Sequence, residues 1–293
     1  MQPSFFKNLG PINIKTIKKN IVCDTHNIDE DENFINLSSI NNLKKNGLSF
    51  ISDNRIHADE DVIDGTLICS NQRKNEIKSG YKRIIVENVY EAVAILSNLF
   101  YRPYSEIDIQ NLEDPKIGKE VKIDTTSIIE KGSIIGNNVK IASGCFIGHS
   151  CVIGDNTTID SNTVITNSII SENVSIGRNV SIGQHGFGFS MNKKKNIKFF
   201  HIGRVILQSG ANIGSNCTLD RGSFGDTVIG ENTFLDNLCH IAHNVQIGTN
   251  CVFAAMSGVA GSTIIGNNVM AGGQSGIAGH LIIGDNVKIA AQS

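Results

Sequence analysis

The chain has 293 residues, a formal net charge of −2 and 18% charged residues, which argues against a general nucleic-acid-binding protein. Its N-terminal segment lacks the long apolar core of a secretory signal, and no run approaches the roughly 20 apolar residues of a membrane span. These features predict a cytoplasmic protein without stable membrane insertion, whose seven cysteines are reduced.

The first part of the chain, residues 1–105, predicts a small α/β domain. It contains the strand-like pieces GLSFIS, DGTLICS and KRIIVE, followed by the apolar-periodic segment VENVYEAVAILSNLFY, which is typical of a helix. The next stretch carries Pro103 and Pro115, and it predicts a linker over residues 106–116.

From residue 117 to residue 293 the chain is dominated by a six-residue repeat. Isoleucine recurs nine times in succession at this spacing; the pattern then slips by one residue, and it continues again after each of two longer interruptions. A period of six fits neither a coiled-coil heptad nor an amphipathic helix. Three hexads per coil, each coil advancing by about 4.8 Å, predict a parallel β-helix in which the aliphatic residues point inward.

The same register assigns most of the cysteines to the core of this β-helix. Five of them lie four residues after an inward aliphatic position, where a small side chain fits: Cys145, Cys151, Cys217, Cys239 and Cys251. No CxxC pair of the metal-binding type is present. A buried, reduced cysteine behaves as a small hydrophobic residue, so we interpret these five as structural.

Two segments break the period and are therefore candidates for function. The longer is an inserted loop over residues 184–201, which contains the aromatic turn GFGF and a lysine run at 193–195. Either it is an exposed loop with solvated charges, or it forms one lip of a binding groove. The shorter is DRGSFGDTV, at residues 220–228, which we interpret as an outward loop.

The segment HIAHNVQIG, at residues 240–248, contains the candidate catalytic base. The register places Ile241 in the core and His243 near a corner, facing outward. Gly261 lies 18 residues later, one coil along, and Asp236 lies seven residues earlier. A base, an acid and a backbone amide would form a plausible acyl-transfer constellation, although outward His and Asp residues are common on solenoid surfaces.

The segment NCTLDRGSFGDTVIGENTFLDNLCHIAHNVQIG resembles the signature region of the UDP-3-O-acylglucosamine N-acyltransferases of lipid A synthesis. GFGF and GHLIIGD occur in the expected places around it, and the resemblance extends over residues 117–293 and more weakly over the N-terminal domain. It implies a left-handed β-helix, a homotrimer and transfer of a 3-hydroxyacyl chain from acyl carrier protein to the 2-amino group of a UDP-3-O-acyl-glucosamine. It also implies no metal and no cofactor besides the phosphopantetheine of the carrier protein.

The resemblance assigns roles residue by residue. His243 matches the general base, Asp236 the acid that orients it, and Gly261 the amide that stabilises the oxyanion. His280 matches a second histidine near the phosphopantetheine and the nucleotide phosphates.

Further residues are expected to contact substrate. Asn244 would hold ligand beside the base, and His240, Phe187 and Phe189 are candidates for lining the groove.

In the N-terminal domain, Phe50 of LSFISDNRI matches an aromatic residue that stacks on uracil. Asp53 and Ile56 depart from the family pattern, so either Asn54 takes over the amide contact or nucleotide recognition differs from that of the family.

Three alternatives remain open. One is a sugar-nucleotide acetyltransferase that uses acetyl-CoA, and another is an inactive solenoid that serves as an interaction module. The third is a zinc enzyme of the γ-carbonic anhydrase kind, for which His201, His240 and His243 are available at an unsuitable spacing. The chain ends within a hexad at Ser293, from which we expect a truncated β-helix domain.

Overall fold

The computed structural model describes residues 5–51, 65–77, 80–191 and 195–293. These form two compact units. The N-terminal unit comprises Phe6–Pro103 and Gly188–Phe200, and the solenoid unit comprises Tyr104–Phe187 and His201–Ser293 together with Phe5. Thirteen residues of the inserted loop therefore belong to the same unit as the N-terminal domain.

The N-terminal unit is a small α/β structure. Its described elements are β1 (Phe6–Asn8), β2 (Ile12–Asn13), α1 (Ile14–Asn20), β3 (Asp24–His26), β4 (Asn33–Phe34), β5 (Asn36–Leu37), β6 (Gly47–Phe50), β7 (Thr66–Ser70), β8 (Lys82–Val86), α2 (Val89–Phe100) and β9 (Tyr101–Pro103), with a 3₁₀ turn at Ile40–Asn42. The order of the main sheet is β3-β8-β7-β6-β5, and only β3 runs antiparallel to its neighbour.

Helix α2 forms where the sequence predicted a helix. The Asn88 side chain caps its N-terminus by accepting a hydrogen bond from the Glu91 N–H. The apolar positions spaced three and four apart bury Val93, Leu96 and Phe100 completely.

The segment predicted as a linker contains a short helix, α3 (Glu106–Gln110). The Ser105 hydroxyl accepts a hydrogen bond from the Asp108 N–H, and the Asp108 carboxylate accepts one from the Ser105 N–H. This reciprocal capping box stabilises a single turn where the prolines alone predicted irregular chain.

The solenoid unit is built of very short parallel strands. In chain order, together with the hairpin β22–β23 that belongs to the N-terminal unit, they are β10 (Lys116–Ile117), β11 (Lys122–Ile123), β12 (Ile128–Ile129), β13 (Ile134–Ile135), β14 (Lys140–Ile141), β15 (Phe146–Ile147), β16 (Val152–Ile153), β17 (Thr158–Ile159), β18 (Val164–Ile165), β19 (Ser168–Ile170), β20 (Ser175–Ile176), β21 (Ser181–His185), β22 (Phe189–Ser190), β23 (Ile197–Lys198), β24 (Val205–Leu207), β25 (Asn212–Ile213), β26 (Thr218–Arg221), β27 (Thr227–Ile229), β28 (Phe234–Leu235), β29 (His240–Ile241), β30 (Gln246–Ile247), β31 (Val252–Phe253), β32 (Gly258–Val259), β33 (Ile264–Ile265), β34 (Met270–Ala271), β35 (Gly276–Ile277), β36 (Ile282–Ile283) and β37 (Lys288–Ile289).

The solenoid strands stack into three parallel sheets, which are the faces of a left-handed β-helix. Among the described residues, face 1 is β10-β13-β16-β19-β24-β27-β30-β33-β36, face 2 is β11-β14-β17-β20-β25-β28-β31-β34-β37, and face 3 is β12-β15-β18-β21-β26-β29-β32-β35. The register is regular, so that Ile241 pairs with Val259 and Val259 with Ile277. The predicted fold is confirmed.

The corners between faces require a left-handed backbone, and asparagine supplies it repeatedly. Asn138, Asn156, Asn244, Asn250 and Asn268 all have φ between 55° and 62°, a region that asparagine tolerates better than most residues. Inside the coils, the five cysteines assigned to the core are all buried and unbonded to one another, as predicted. No helix of the described residues is long and apolar enough to cross a membrane.

Candidate active site

The two interruptions of the repeat lie on the same corner of the β-helix as His243. Strands β21, β26, β29, β32 and β35 are consecutive on face 3. At the ends of these strands lie residues 183–187 with 201–204, 220–226, 242–244, 260–262 and 278–280 of the solenoid unit, and we call this column the insertion corner. Residues far apart in sequence therefore meet because parallel coils stack.

At this corner the ring of His243 is half-buried and oriented by a neighbouring amide. Its Nδ1 lies 3.1 Å from Oδ1 of Asn244. That oxygen also accepts the Ser223 N–H at 2.9 Å, and the Asn244 Nδ2 donates to the Gly225 carbonyl. Because an amide oxygen only accepts, Nδ1 of His243 carries the proton and Nε2 is left as an acceptor.

The acceptor edge of His243 faces Gly261. A Cβ placed on Gly261 would stand 2.9 Å from both Cε1 and Nε2 of the ring, so only glycine leaves room for this arrangement. No partner for the Gly261 N–H is found among the described residues.

The Gly261 N–H lacks a partner because of the residue that lies one coil further along the insertion corner. At several corners that follow face 1 the equivalent N–H is capped by a side chain 18 residues later, as Asn267 caps Thr249 and Asp285 caps Asn267. The residue 18 positions after Gly261 is Gly279, which has no side chain to cap the amide. A basic nitrogen and an open amide thus lie beside each other.

The inserted loop adds two further imidazole rings. His185 and His201 stack with centroids 4.3 Å apart, and His201 meets His243 edge-on at 5.3 Å. His201 is fully buried, and burial, together with His185, His243 and Arg221, lowers its pKa to about 2. His201 is therefore neutral, and its Nε2 lies 3.2 Å from the Ser223 hydroxyl.

The loop closes on these rings through Gly186. A Cβ on Gly186 would stand 2.8 Å from Cβ of His243 and 3.0 Å from Cε1 of His201. Glycine at this position therefore allows the loop to pack directly against both histidines.

A carboxylate also belongs to the histidine cluster, and it is Asp220. Its side chain is only 8% exposed, and Oδ2 lies 3.8 Å from Nε2 of His240. Gln184 donates to its Oδ1 at 2.8 Å, and the Thr218 hydroxyl lies 2.7 Å from Nδ1 of His240. Burial raises the pKa of Asp220, while His240, His243 and His185 act against that increase.

Asp236 does not lie at the insertion corner. It follows β28 on face 2, one corner before His243, and its exposed carboxylate accepts hydrogen bonds from the N–H and the side-chain amide of Asn237. The expected pairing of Asp236 with His243 is therefore not formed within one chain. Because each face spans six residues, a separation of seven residues leads to the next corner.

His280 lies on the insertion corner, two coils beyond Asn244, in the same left-handed position as Asn244 and Ser262. Its ring is exposed, and its N–H donates to the Gly261 carbonyl at 3.0 Å. The corner thus carries His243, Gly261 and His280 in successive coils.

The remaining predicted residues lie in different places. Phe187 belongs to the solenoid unit and is 84% exposed. Phe189 lies in β22 of the N-terminal unit, and Phe50 ends β6 of the same unit, half-buried. Asn54 lies outside the described residues, as do Asp53 and Ile56.

Sequence reasoning missed Asp220, His185 and the role of His201 at this corner. The available signal was that both interruptions follow strands of face 3. Within the part of the chain that the structure describes, no group of three or more His, Cys, Asp or Glu residues is arranged to hold a metal ion.

Comparison with known families agrees with this architecture. A model described as "Bacterial transferase hexapeptide (six repeats)" matches residues 226–261, and one described as "GMPPB C-terminal domain" matches residues 112–191. The solved structure of LpxA from Acinetobacter baumannii has a TM-score of 0.53 and 30% identity, covering 58% of this chain and 65% of that one. UDP-N-acetylglucosamine acyltransferase from Campylobacter jejuni has a TM-score of 0.53 and 25% identity, covering 59% and 66%.

Fold and repeat together define the chain as a left-handed β-helix protein of the hexapeptide-repeat class. Within that class it is similar to the UDP-3-O-acylglucosamine N-acyltransferases, which confirms the resemblance found in its motifs. The relative from Caulobacter vibrioides is 51% identical over 70 residues, which are 24% of this chain and 21% of the relative. The relative from Methylobacterium nodulans is 53% identical over 72 residues, 25% and 20% of the two chains. The matches thus span about a fifth of the relatives' own length.

Proposed function

We propose that the chain is an N-acyltransferase that acylates the 2-amino group of a UDP-3-O-(3-hydroxyacyl)-glucosamine with a 3-hydroxyacyl chain from acyl carrier protein, in the cytoplasm and as a homotrimer. One observation carries the proposal: Nε2 of His243 is a free acceptor beside the open amide of Gly261. The printed names of the relatives in Caulobacter and Methylobacterium support the substrate class.

In the proposed reaction the sugar amine attacks the thioester carbonyl carbon while Nε2 of His243 takes a proton from the attacking nitrogen. The Gly261 N–H donates to the oxygen that becomes negative in the tetrahedral intermediate. Collapse of that intermediate breaks the C–S bond and leaves an amide. The proton on His243 then passes to the leaving phosphopantetheine thiolate. Asn244 holds the tautomer that makes both proton transfers feasible, which is a positioning role.

The outer surface of face 3 has features that favour binding of an acyl chain. The outward positions after His240 are Gly258 and Gly276, and a Cβ on either would meet nothing within 4 Å. Leu238 and Met256, on the corner before face 3, are about half exposed. Gly258 and Gly276 thus leave open space on face 3 next to exposed apolar side chains, and we propose this surface as the site of the acyl chain.

The other contacts in this proposal follow the resemblance. Phe50 stacks on uracil, His280 lies near the phosphates and the phosphopantetheine, and His240, Phe187 and Phe189 contact substrate; the amide contact expected of Asn54 falls outside the described residues.

The proposal is tested with full-length protein, UDP-3-O-acyl-glucosamine and 3-hydroxyacyl carrier protein, with the product identified by mass spectrometry. We expect His243→Ala to lower turnover at least 100-fold, since general base catalysis contributes about 10²–10⁴-fold. His26→Ala, at an exposed position in β3, is the matched control and should retain wild-type turnover.

Undiminished turnover by a folded His243→Ala variant would overturn the mechanism. Rapid turnover with acetyl-CoA and none with the carrier-protein donor would instead assign the chain to the acetyltransferases.

A further inference from the structure

His201 has no part in the proposed proton transfers, yet it lies against the proposed base. Its side chain is fully buried, and its ring meets that of His243 edge-on, with centroids 5.3 Å apart and planes at 68°. The ring of His185 stacks on it at 4.3 Å, with planes at 20°. The ring of His243, by contrast, is only half-buried, so the fixed member of this contact is His201.

The backbone around His201 is bound to the shorter insertion. The Arg221 guanidinium donates from Nε to the His201 carbonyl at 3.1 Å and from Nη1 to the Gly183 carbonyl at 3.2 Å. The N–H of Ile202, the next residue, donates to the Ser223 carbonyl at 2.7 Å. A buried ring whose backbone is held in this way has little freedom to move.

A second link from His201 to the base runs through Ser223. Nε2 of His201 lies 3.2 Å from Oγ of Ser223. The Ser223 N–H donates at 2.9 Å to Oδ1 of Asn244, which is the oxygen that also accepts Nδ1–H of His243 at 3.1 Å. Because the position of this oxygen decides where Nδ1–H points, a shift of Ser223 would be passed on to the ring of His243.

The imidazole of His201 is unfavourable for stability at this position. Its Nδ1 is buried and has no hydrogen-bond partner among the described residues, and burial lowers the pKa of the ring to about 2. An apolar aromatic ring would fill similar space without leaving a buried nitrogen unpaired. What the imidazole adds over such a ring is the contact with Ser223.

We propose that His201 is a positioning residue, which holds the imidazole of His243 in place both by direct ring contact and through Ser223. The kinetic consequences of this inference rest on the proposed function, whereas the fixed orientation of His243 does not. His201 itself touches no reacting atom and transfers no proton. Its contribution is that Nε2 of His243 stays beside Gly261, where a misplacement of about 1 Å costs roughly 100-fold in rate.

The kinetic test compares variants of the full-length protein in the N-acyl transfer assay. His201→Ala removes both links and should lower kcat about 100-fold while KM stays within about 3-fold of wild type. His201→Phe keeps a ring and His201→Gln keeps a polar group for Ser223, so each should lose less, about 10-fold. His149→Ala is the matched control, because His149 is also a partly buried histidine stacked on a ring, that of Tyr104 at 4.9 Å; it should keep wild-type kcat.

A double variant distinguishes positioning from a merely structural effect. A residue that acts only through His243 has nothing to act on in His243→Ala, so adding His201→Ala should lower the residual rate by less than about 2-fold. An equal loss in both backgrounds, or wild-type kcat in His201→Ala, would overturn the proposal. If His201→Ala does not fold, His201→Gln and His201→Phe serve in the same comparison.

The tautomer of His243 gives a readout that does not depend on acyl transfer. In imidazole ¹⁵N NMR spectra, the signals of His243 are identified by their loss in His243→Ala. They should show the Nδ1–H tautomer alone in wild type and in His149→Ala, and a mixture of both tautomers in His201→Ala. An unchanged His243 signal in His201→Ala would overturn the proposal. The expected change of tautomer in a protein that acylates no sugar nucleotide would support the positioning of His243 by His201 and contradict the proposed function alone.

Discussion

Replacing Gly261 by alanine tests the geometry of the candidate site most directly. The added Cβ would stand 2.9 Å from Cε1 and Nε2 of His243, whereas ordinary contacts begin at 3.4 Å. The ring must therefore move by about 0.5 to 1 Å, and misplacement on that scale costs on the order of 100-fold in rate. This loss corresponds to about 2.7 kcal/mol of transition-state stabilisation.

Stability should respond far less than activity to this substitution. The atoms that the new Cβ meets are the end of a half-buried side chain, which can rotate away without moving the backbone. We expect the melting temperature of Gly261→Ala to stay within about 3 °C of wild type, as for a change below about 1 kcal/mol. Turnover is measured by mass spectrometry of the acylated sugar nucleotide.

Gly284→Ala is the matched control, since a Cβ there would meet nothing within 4 Å and Gly284 lies outside the insertion corner. It should keep both turnover and melting temperature. If Gly261→Ala were as active as Gly284→Ala, the placement of His243 against an open amide would not matter for the reaction.

Three further predictions concern the neighbours of His243. Asn244→Gly keeps the left-handed corner but removes the acceptor of Nδ1 of His243, so kcat should fall about 10-fold or more while KM changes little. Asn244→Asp should restore most of the lost kcat. Asn250→Gly, at another corner, is the control and should leave kcat unchanged. His201 has a pKa lowered from 6.5 to about 2 by burial, so below pH 6.5 the unfolded chain binds a proton that the folded chain does not, and wild-type stability falls with decreasing pH. Relative to His201→Gln, the wild-type free energy of unfolding should drop by about 1.4 kcal/mol per pH unit in urea titrations between pH 6.5 and pH 4, and parallel curves would refute this. Gly186→Ala should lower both melting temperature and turnover, because its Cβ would collide with the buried His201 as well as with His243; an unchanged melting temperature would show that the loop does not pack as described.

The regular part of the molecule could be predicted from the sequence because its six-residue period is short and is repeated over many hexads between the insertions. A spacing of six fixes which residues point inward, and the buried positions of Ile241, Val259 and Cys239 follow from it. The position of Gly261 next to His243 follows from the same spacing, because the two residues are 18 apart and 18 residues make one coil.

The residues of the insertions could not be placed in this way. Once the period is interrupted, counting no longer relates His201 or His185 to His243, and only the folded loop shows that their rings meet. Asp220 is one residue after an inward leucine, yet its burial depends on β21 and β26 extending past the corner and pairing there. The number of residues between Asp236 and His243 suggested proximity, but it led to a different corner.

The capping of corner amides has a consequence for the whole solenoid. Lys119 is capped by Asn137, and Asn137 in turn by Asp155, just as Thr249 and Asn267 are capped further along. At each of these corners a side-chain oxygen of the next coil accepts the backbone N–H of the coil before it. We expect that replacing a capping residue such as Asn267 by glycine would leave the N–H of the corner before it without a side-chain acceptor, as is the case for the N–H of Gly261.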